Sequence, residues 1–468
     1  MEQMKDKSFP LGFSWGVSTS SYQIEGAVNE GGRGNSIWDT FCHTPGKVFH
    51  DDLGDIACDH YHRLEKDLDL LKELGVQVYR FSIAWPRIQP QRVGNVNEAG
   101  LAFYDRLFDG LVQRGIKPVP TLYHWDLPQY LQDKGGWANR EIVDWFAAYA
   151  RIVVGRFADR ADMWTTINEP WVIAYLGYGL GLHAPGIAEP AKAAAAHHHL
   201  LLAHAAGMAA IREVHPQASV GIALNMSHIY PWSDSVEDQQ AASLADMQLN
   251  TSFLDPLVRG AYPNDMGLVH ECWNDTELVQ PNDLAKIAAP MDFLSINTYH
   301  PRYVCDPANS GEARSQGWAG GFTAPFSLGL PFTDVEPPGC LKTDMGWMIE
   351  PKGLTDLLLR LNVDAPGLPL YISENGMSNP DYPDPAGQVA DPERINYFQG
   401  HLKSALVAID QGVDLRGYWA WSFLDNFEWS LGYSKRFGLV YVDYPTGRRT
   451  PKSSFHWYRD VIAGNALP

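Results

Sequence analysis

Residues 59–84 read DHYHRLEKDLDLLKELGVQVYRFSIA. The first sixteen of them place leucines three and four positions apart, which is the spacing of an amphipathic helix. Gly75 follows, at a point where a left-handed residue can end a helix. The segment 78–84 is then a short run rich in β-branched and aromatic residues, which is typical of a strand. A helix and a strand joined by a glycine make up one step of a pattern that extends along the chain.

The same alternation of strand and helix occurs eight times. The candidate strands are 13–19, 78–84, 117–124, 163–168, 219–225, 293–299, 368–374 and 415–423. The candidate helices that follow them are 59–74, 98–114, 140–157, 191–214, 236–254, 352–361, 391–411 and 452–461. Eight such units in order predict an α/β protein with a closed (β/α)8 TIM barrel. A doubly wound open sheet is the alternative, and it is disfavoured because no Gly-rich dinucleotide loop follows the first strand.

The composition is that of a folded protein with an acidic surface. The chain has 468 residues, of which 45% are hydrophobic and 19% are charged, so it can bury a large core. Its net charge of −19 repels phosphodiester backbones and anionic lipid headgroups. We therefore expect no nucleic-acid partner and no membrane partner. Residues 193–211 have no formal charge, but four histidines and many alanines there favour a buried amphipathic helix over a membrane span.

Nothing in the sequence divides the chain into separate units. No repeat, low-complexity block or Pro/Ser-rich linker occurs, so residues 1–468 are predicted to form one domain with long βα loops. Five cysteines at scattered spacings favour reduced thiols in a cytoplasm. Residues 1–10 contain no apolar run, which predicts no secretory signal. A homo-oligomer is compatible with these features.

Polar and aromatic residues gather at the C-terminal ends of the predicted strands. In a TIM barrel these ends form the active-site face. Any one of these residues taken alone is commonly a loop cap or a core side chain, so the whole set is the signal. The set comprises Gln23 after strand one, Arg80 in strand two, His124, Trp125 and Asp126 after strand three, Asn168 and Glu169 at strand four, Asn297 and Tyr299 at strand six, Glu374 at strand seven, and Trp421, Glu428 and Trp429 after strand eight.

Two carboxylates in this set have a specific meaning. Glu169 and Glu374 occupy the turns leaving strands four and seven, which face each other across the predicted barrel mouth. Glycosidic cleavage needs two opposed carboxylates that flank the substrate. Aromatic rings cover the apolar face of a sugar, while amide and imidazole groups bind its hydroxyls. The pattern therefore predicts an enzyme that cleaves a glycosidic bond.

At these residues the chain resembles the β-glucosidases of glycoside hydrolase family 1. The resemblance rests on TINEP at 166–170 and YISENG at 371–376. Further similar segments are FSWG at 13–16, RFS at 80–82, LYHW at 122–125, HAPG at 183–186 and WSFLDNFEW at 421–429. The similar segments extend over nearly the whole chain and follow the order of the family.

The resemblance implies a retaining mechanism, with Glu374 as nucleophile and Glu169 as general acid and then general base. It implies that Asn168 binds the sugar 2-hydroxyl and that Tyr299 and Arg80 hold the Glu374 carboxylate. A retaining pair predicts carboxyl groups about 5 to 5.5 Å apart. No cofactor and no metal are required. The implied substrate-binding residues are Gln23, His124, Trp125, Asn297, Trp347, Trp421, Glu428, Trp429 and Phe437.

Glu428 bears on the choice of sugar. Family members that act on 6-phosphorylated sugars typically have a small hydroxyl residue at this position. A carboxylate repels a phosphate dianion, and it accepts hydrogen bonds from the 4- and 6-hydroxyls of a neutral sugar. Lys435 resembles a phosphate-binding lysine, but it is the single residue that favours a phosphorylated substrate. The expected substrates are β-D-glucosides and cello-oligosaccharides, with β-galactosidase, β-fucosidase and transglycosylase activities as open alternatives.

Two other functions are disfavoured. A carbohydrate-binding barrel without catalysis would lack one of the two glutamates, and this chain has both. A metal site at His197, His198, His199 and His204 is disfavoured because adjacent residues of a helix point in different directions. These histidines are predicted to be packing and surface residues. The segments 262–290 and 300–350 are predicted to shape the aglycone entrance.

Overall fold

The predicted strands pair side by side and close into a barrel. The computed structural model describes residues 8–274, 277–311 and 327–468. Eight parallel strands form a closed ring, in which each strand is hydrogen-bonded to the next barrel strand along the chain and the last is hydrogen-bonded to the first. The TIM barrel is confirmed, and the open-sheet alternative is wrong. The strands are β1 (Ser14–Ser18), β2 (Val78–Ser82), β3 (Lys117–Tyr123), β4 (Met163–Asn168), β5 (Ser219–Asn225), β6 (Phe293–Asn297), β7 (Leu370–Asn375) and β8 (Leu415–Trp421).

A helix follows each barrel strand along the chain. These helices are α1 (His60–Leu74), α2 (Glu98–Gln113), α3 (Ile142–Phe157), α4 (Pro190–Val214), α5 (Val236–Asp246), α6 (Lys352–Asp364), α7 (Pro392–Asp410) and α8 (Ser453–Gly464). The leucines of α1 that the spacing predicted to face the core are buried, as Leu64, Leu68 and Leu71 show. Gly75 ends α1 with a φ of 78°, in the left-handed conformation that glycine adopts without strain.

Apolar side chains fill the barrel interior below its mouth. Val78, Val119 and Trp419 form a buried cluster there. A Cβ atom on Gly16 would lie 2.7 Å from the Trp419 ring, so the large indole fits only because β1 carries a glycine at this point. With the interior packed in this way, polar groups are concentrated where the strands end.

Two sequence-based assignments need correction. Glu374 lies inside β7, one residue before its end, and not in the turn that leaves the strand. The helix predicted over 236–254 is not continuous, because α5 is followed by a π-helical segment, Met247–Thr251, and by a separate helix, Ser252–Arg259. The last of these contains Pro256, which lacks the N–H that a regular helix requires.

The loops carry elements that hydrophobic periodicity did not predict. Residues 1–7, 275–276 and 312–326 lie outside the described residues. Three stretches discussed above are therefore described only in part: 1–10, where no secretory signal is predicted, and the predicted entrance segments 262–290 and 300–350. A three-stranded sheet joins Ile229–Pro231, Arg302–Cys305 and Thr333–Val335, and a hairpin joins Val440–Asp443 to Arg448–Pro451. The additional helical segments are Ser21–Ile24, Ile37–Cys42, Phe49–Asp51, Trp85–Ile88, Gln129–Gln132, Gly136–Ala138, Val172–Gly179, Met266–Val269, Glu271–Asn274, Asp283–Ile287, Pro307–Asn309 and Trp429–Leu431.

All four histidines of α4 are buried, which corrects the expectation that some of them lie on the surface. They pack against different neighbours. His197 contacts the Tyr175 hydroxyl at 2.9 Å, and His204 contacts the Thr166 hydroxyl at 2.7 Å. Within the described ranges no cluster of three His, Cys, Asp or Glu side chains is arranged to hold a metal ion. Of the helices in those same ranges, none is both long and apolar enough to cross a bilayer.

Candidate active site

A cavity of about 510 Å³ opens where the barrel strands end. Arg80 and Asn168, which were also predicted as site residues, are completely buried and form hydrogen bonds with the wall residues Glu374 and His124. A volume of this size is typical of ligand sites in proteins. The predicted site residues in its wall are His124, Trp125, Glu169, Asn297, Tyr299, Trp347, Glu374, Trp421, Glu428, Trp429 and Phe437.

Glu169 directly follows β4, and its backbone has a φ of 49°. This left-handed conformation is costly for a residue with a side chain, and such residues persist where the surrounding structure over-determines them. The Asn297 side chain at the end of β6 donates a 2.6 Å hydrogen bond to Glu169 Oε1. Ser373 in turn donates to the Asn297 carbonyl oxygen at 2.6 Å, which fixes the orientation of the amide. The Glu169 carboxyl is therefore held in one place at the edge of the cavity.

Glu374 forms an ion pair, whereas Glu169 forms none with any residue that the structure describes. The Arg80 guanidinium donates to Glu374 Oε1 at 2.6 Å, and the Tyr299 hydroxyl donates to Oε2 at 2.7 Å. Both contacts favour the ionised carboxylate, since each donor is stabilised by negative charge on the acceptor. This arrangement suits a carboxylate that must attack an electrophile.

Asn168 connects the two carboxylates. Its side-chain Oδ1 atom accepts hydrogen bonds from Arg80 at 2.5 Å and from Asn297 at 3.0 Å, so it contacts one partner of each glutamate. Its amide nitrogen donates to His124 Nε2 at 3.1 Å. Burial and the nearby guanidinium hold the pKa of His124 well below its usual range, so the imidazole is neutral and accepts this bond. The site is thus one hydrogen-bonded unit that spans β2, β3, β4, β6 and β7.

The two carboxylates have different electrostatic surroundings. Burial raises the pKa of Glu169, and the negative charge of Glu374 raises it further. Burial also raises the pKa of Glu374, but Arg80 and the Tyr299 hydroxyl oppose that rise. A proton shared by the pair therefore resides on Glu169, while Glu374 is the ionised member. Tyr299 stays protonated and continues to donate, because burial and the charge of Glu374 raise its pKa well above the usual range.

Aromatic rings form much of the cavity wall. Trp125 and Trp429 pack with their ring centroids 4.5 Å apart, and Trp421 stacks with His124 at 6.1 Å. On the other side, Trp347 lies 5.1 Å from the Tyr299 ring. These flat apolar surfaces beside polar groups match the two kinds of surface on a sugar ring.

Gln23 is not placed in the cavity wall, although the resemblance implied that it binds substrate. It is completely buried, and its amide nitrogen donates to Asn426 Oδ1 and to the Phe427 carbonyl, each at 2.9 Å. Its own carbonyl oxygen accepts from Ser20 at 2.6 Å. In this structure Gln23 supports the loop after β8 from behind.

Lys435 has an internal partner. Its ammonium donates to the Asp344 carboxylate at 2.9 Å and to the Asp344 carbonyl at 2.8 Å. Because the Asp344 carboxylate already neutralises this ammonium, Lys435 contributes little positive charge toward a phosphate. The cavity wall therefore carries Glu428 without a compensating Lys435.

Some cavity residues were missed by the sequence analysis. Asn225 ends β5 and lines the cavity, so the strand-end rule identifies it once strand five is included. Trp171 lines the cavity two residues after Glu169. His183 belongs to the HAPG segment, which was recognised but given no role. The strand ends and the loops that follow them therefore contribute further residues to the cavity wall.

Glu428 allows a prediction about stability. Burial, with a further contribution from Glu374, raises its pKa to about 8, and within the described structure its Oε2 atom has no hydrogen-bond partner. Between the ordinary pKa and this raised value the folded state binds the extra proton, so stability falls as the pH rises through that window. Glu428→Gln is expected to raise the melting temperature at pH 8.5 and to leave it unchanged at pH 4. Thermal melts at both pH values measure this.

The matched control for this comparison is Glu73→Gln, which makes the same chemical change on the exposed face of α1. It should alter the melting temperature equally at both pH values. The same pH-independent result for Glu428→Gln would contradict the assignment of a raised pKa to Glu428.

Comparison with known proteins agrees with this geometry. Residues 5–467 match the family described as glycosyl hydrolase family 1. The chain is 44% identical to "Beta-glucosidase A" of Acetivibrio thermocellus, covering 99% of this chain and 100% of that one. It is 44% identical to the "Bifunctional beta-D-glucosidase/beta-D-fucosidase" of Bifidobacterium breve, covering 98% and 99%. The solved "Beta-glucosidase from Thermotoga maritima in complex with deoxynojirimycin" is 43% identical, covers 99% and 100%, and superposes with a TM-score of 0.91.

A match of this extent, together with a TIM barrel that carries two hydrogen-bonded glutamates at its mouth, leads to one conclusion. The chain is a glycoside hydrolase and belongs to glycosyl hydrolase family 1.

Proposed function

We propose that this enzyme is a retaining β-glucosidase that releases terminal β-D-glucosyl residues from β-glucosides and cello-oligosaccharides. The observation that carries the proposal is the pairing of a proton-holding Glu169 with an Arg80-bound Glu374 in the wall of an aromatic cavity. The names of the similar proteins, two β-glucosidases and a bifunctional β-glucosidase/β-fucosidase, point to the same reaction.

In the first step Glu374 attacks the anomeric carbon while the bond from that carbon to the leaving oxygen breaks. Glu169 gives its proton to the leaving oxygen, so the aglycone departs as a neutral alcohol. A covalent glycosyl ester of Glu374 results. Arg80 and Tyr299 hold the carboxylate in position before the attack.

In the second step a water molecule attacks the same carbon and Glu374 departs as a carboxylate. Glu169, now ionised, accepts a proton from that water. Asn168 supports both steps through the sugar 2-hydroxyl. The side-chain Oδ1 atom of Asn168 already accepts from Arg80 and Asn297, and one N–H of its amide donates to His124. The second N–H of the amide is therefore the group left to bind the sugar.

The stereochemistry of the product tests the mechanism. Two displacements at one carbon restore the original configuration, so NMR spectra taken early in the reaction should show β-glucose before mutarotation. The proposed carboxyl separation of about 5 to 5.5 Å has the same consequence, because it leaves no room for water in the first step. A first product in the α configuration would overturn the proposal.

The choice of sugar gives a second test. At pH 8.5, where Glu428 is ionised, we expect hydrolysis of an aryl 6-phospho-β-glucoside to be at least about 100-fold slower than that of the unphosphorylated glucoside, since the Glu428 carboxylate then repels the phosphate and Lys435 is paired with Asp344. Comparing kcat/KM on the two substrates measures this. Glu428→Ser should bring the kcat/KM values for the phosphorylated and the unphosphorylated glucoside closer together. Equal rates in the unmodified enzyme would show that the glycone site does not discriminate by charge.

A β-fucoside is a second candidate substrate, favoured by the similarity to the bifunctional enzyme of Bifidobacterium breve. Transfer to an added alcohol would distinguish a synthetic enzyme from a hydrolase.

We also propose that residues 1–468 act as one catalytic domain in the cytoplasm. The extent of the family match and the five cysteines, none of which forms a disulfide bond, support this.

A further inference from the structure

A buried network of charged side chains lies beneath the loop that follows β8. Three are acids and three are bases, so the network is neutral overall. Arg436 is 12% exposed and the others are almost completely buried. None of them lines the cavity. The members are Asp381, Asp391, Arg394, Asp425, Arg436 and Lys452.

Asp425 closes the base of this loop. Its Oδ1 atom accepts a 2.9 Å hydrogen bond from the backbone of Gly438, thirteen residues further along the chain. The same oxygen accepts from the Lys452 ammonium at 2.7 Å, and Oδ2 accepts from Arg436 at 2.8 Å. The loop between the two ends, 425–438, is of the size of an Ω-loop. One carboxylate thus joins both ends of the loop.

The network also connects Asp425 and the ends of the loop to two helices of the barrel. Lys452 precedes α8 and also donates to Asp381 at 2.6 Å. Arg394, in the first turn of α7, pairs with Asp381 at 2.6 Å and donates to the Arg436 carbonyl at 2.9 Å. The loop is therefore fixed to the starts of two barrel helices, which are rigid supports for a functional site.

The side chains carried by this loop include Glu428, Trp429 and Phe437, and all three line the cavity. A buried ion-pair network adds little net stability, because removing the charges from water costs about as much as their attraction returns. What it does supply is one fixed geometry, since each charge must keep its partner. The residues whose positions depend on that geometry are the cavity residues between Asp425 and Gly438.

We propose that Asp425 is a positioning residue that acts through this network. It sets Glu428 and Trp429 against the sugar and thereby creates selectivity for glycones that carry a 6-hydroxymethyl group. The proposal rests on the proposed β-glucosidase function and on the contact of Glu428 with the 4- and 6-hydroxyls. It assigns to the six charges a role in substrate choice, in addition to their place in the fold.

The test compares an aryl β-glucoside with the corresponding aryl β-xyloside, which lacks the 6-hydroxymethyl group. Asp425→Asn keeps the shape of the side chain and removes its charge, and Arg436→Gln perturbs the network at its most exposed member. For each variant kcat/KM is measured on both substrates with one preparation, so the ratio does not depend on the fraction of folded enzyme. We expect the glucoside-to-xyloside ratio to fall about tenfold, mainly through KM for the glucoside.

The matched control is Asp67→Asn. Asp67 is completely buried, accepts from Arg449 at 2.7 and 2.8 Å, and contacts His60 at 2.7 Å, but it does not hold the loop after β8. The control should leave the substrate ratio unchanged even if it lowers the melting temperature. An equal fall in the ratio for the control would indicate general loosening and would overturn the proposal.

An unchanged ratio in both network variants would also overturn it, as would the loss of both activities together in variants with a native circular dichroism spectrum. Failure of the proposed function has a different signature, because the unmodified enzyme would then not hydrolyse the aryl glucoside. The two failures are therefore separate experimental outcomes.

Discussion

Glu374→Gln is expected to lower kcat on an aryl β-glucoside by at least about 10⁴-fold, because an amide cannot form the covalent intermediate. The fold should survive, since glutamine has nearly the same shape and its carbonyl oxygen can still accept from Arg80 or Tyr299. The measurement is the steady-state rate, combined with a thermal melt to confirm folding.

The chain offers a close control for this variant. Glu25 is also a buried glutamate held by an arginine and a tyrosine: Arg87 donates to it at 3.1 Å and the Tyr104 hydroxyl at 2.6 Å. Glu25 does not line the cavity. Glu25→Gln therefore makes the same change in a similar environment, and it should retain activity in whatever fraction folds. Near-normal activity in Glu374→Gln would show that another residue is the nucleophile.

The same variant reports on the electrostatic coupling of the pair. The negative charge of Glu374 contributes to the raised pKa of Glu169, so removing it should lower the pKa of Glu169. Isotope-edited infrared or NMR titration of the Glu169 carboxyl measures the change. A pKa of Glu169 that is equal in the variant and in the unmodified enzyme would mean that the charge of Glu374 does not contribute to the raised value.

Much of this site follows from two rules that operate on sequence alone. Hydrophobic periodicity identifies the strands, and the barrel topology brings their C-terminal ends together. Glu169 and Glu374 could be paired for this reason, although more than 200 residues separate them along the chain. Strand ends are reliable guides because an alternating, buried strand has few ways to pair within a closed barrel.

The orientation of individual side chains is a different matter. Periodicity places Gln23 just after strand one, but it does not show that the amide donates to Asn426 Oδ1 and to the Phe427 carbonyl. That choice depends on which partners a distant loop presents. For the same reason the engagement of Lys435 by Asp344 could not be predicted, since the two residues lie on separate loops.

Local backbone strain is a further feature that the sequence does not reveal. Trp125, Glu169 and Trp429 all have positive φ values, of 77°, 49° and 48°. No propensity rule predicts left-handed tryptophan or glutamate, because such residues cost free energy wherever packing does not enforce them. Each of the three lines the cavity, so the barrel and its loops stabilise an arrangement that the local sequence disfavours.

Glu169→Gln is expected to give a loss of activity that depends on the leaving group. Glu169 supplies a proton to the departing oxygen, and loss of a general acid lowers rates by about 10²–10⁴-fold when that oxygen needs protonation. Cellobiose, whose leaving group is the weakly acidic 4-hydroxyl of glucose, should show the full loss. The leaving group of a dinitrophenyl β-glucoside is dinitrophenolate, a stable anion that departs without a proton. Formation of the glycosyl-enzyme from this substrate should therefore be nearly as fast as in the unmodified enzyme.

Pre-steady-state kinetics separate the two steps in this variant. The dinitrophenyl substrate should give a burst of one phenolate per active site, followed by slow turnover, because water lacks its general base in the second step. The unmodified enzyme is the reference, and its pH profile should lose activity in alkali as Glu169 gives up the proton that its raised pKa retains. A uniform loss for both leaving groups, with no burst, would assign the acid role to a residue other than Glu169. The intermediate would then have to form without the proton that this carboxyl holds, and the asymmetry between the Asn297-bound and the Arg80-bound glutamate would need another explanation.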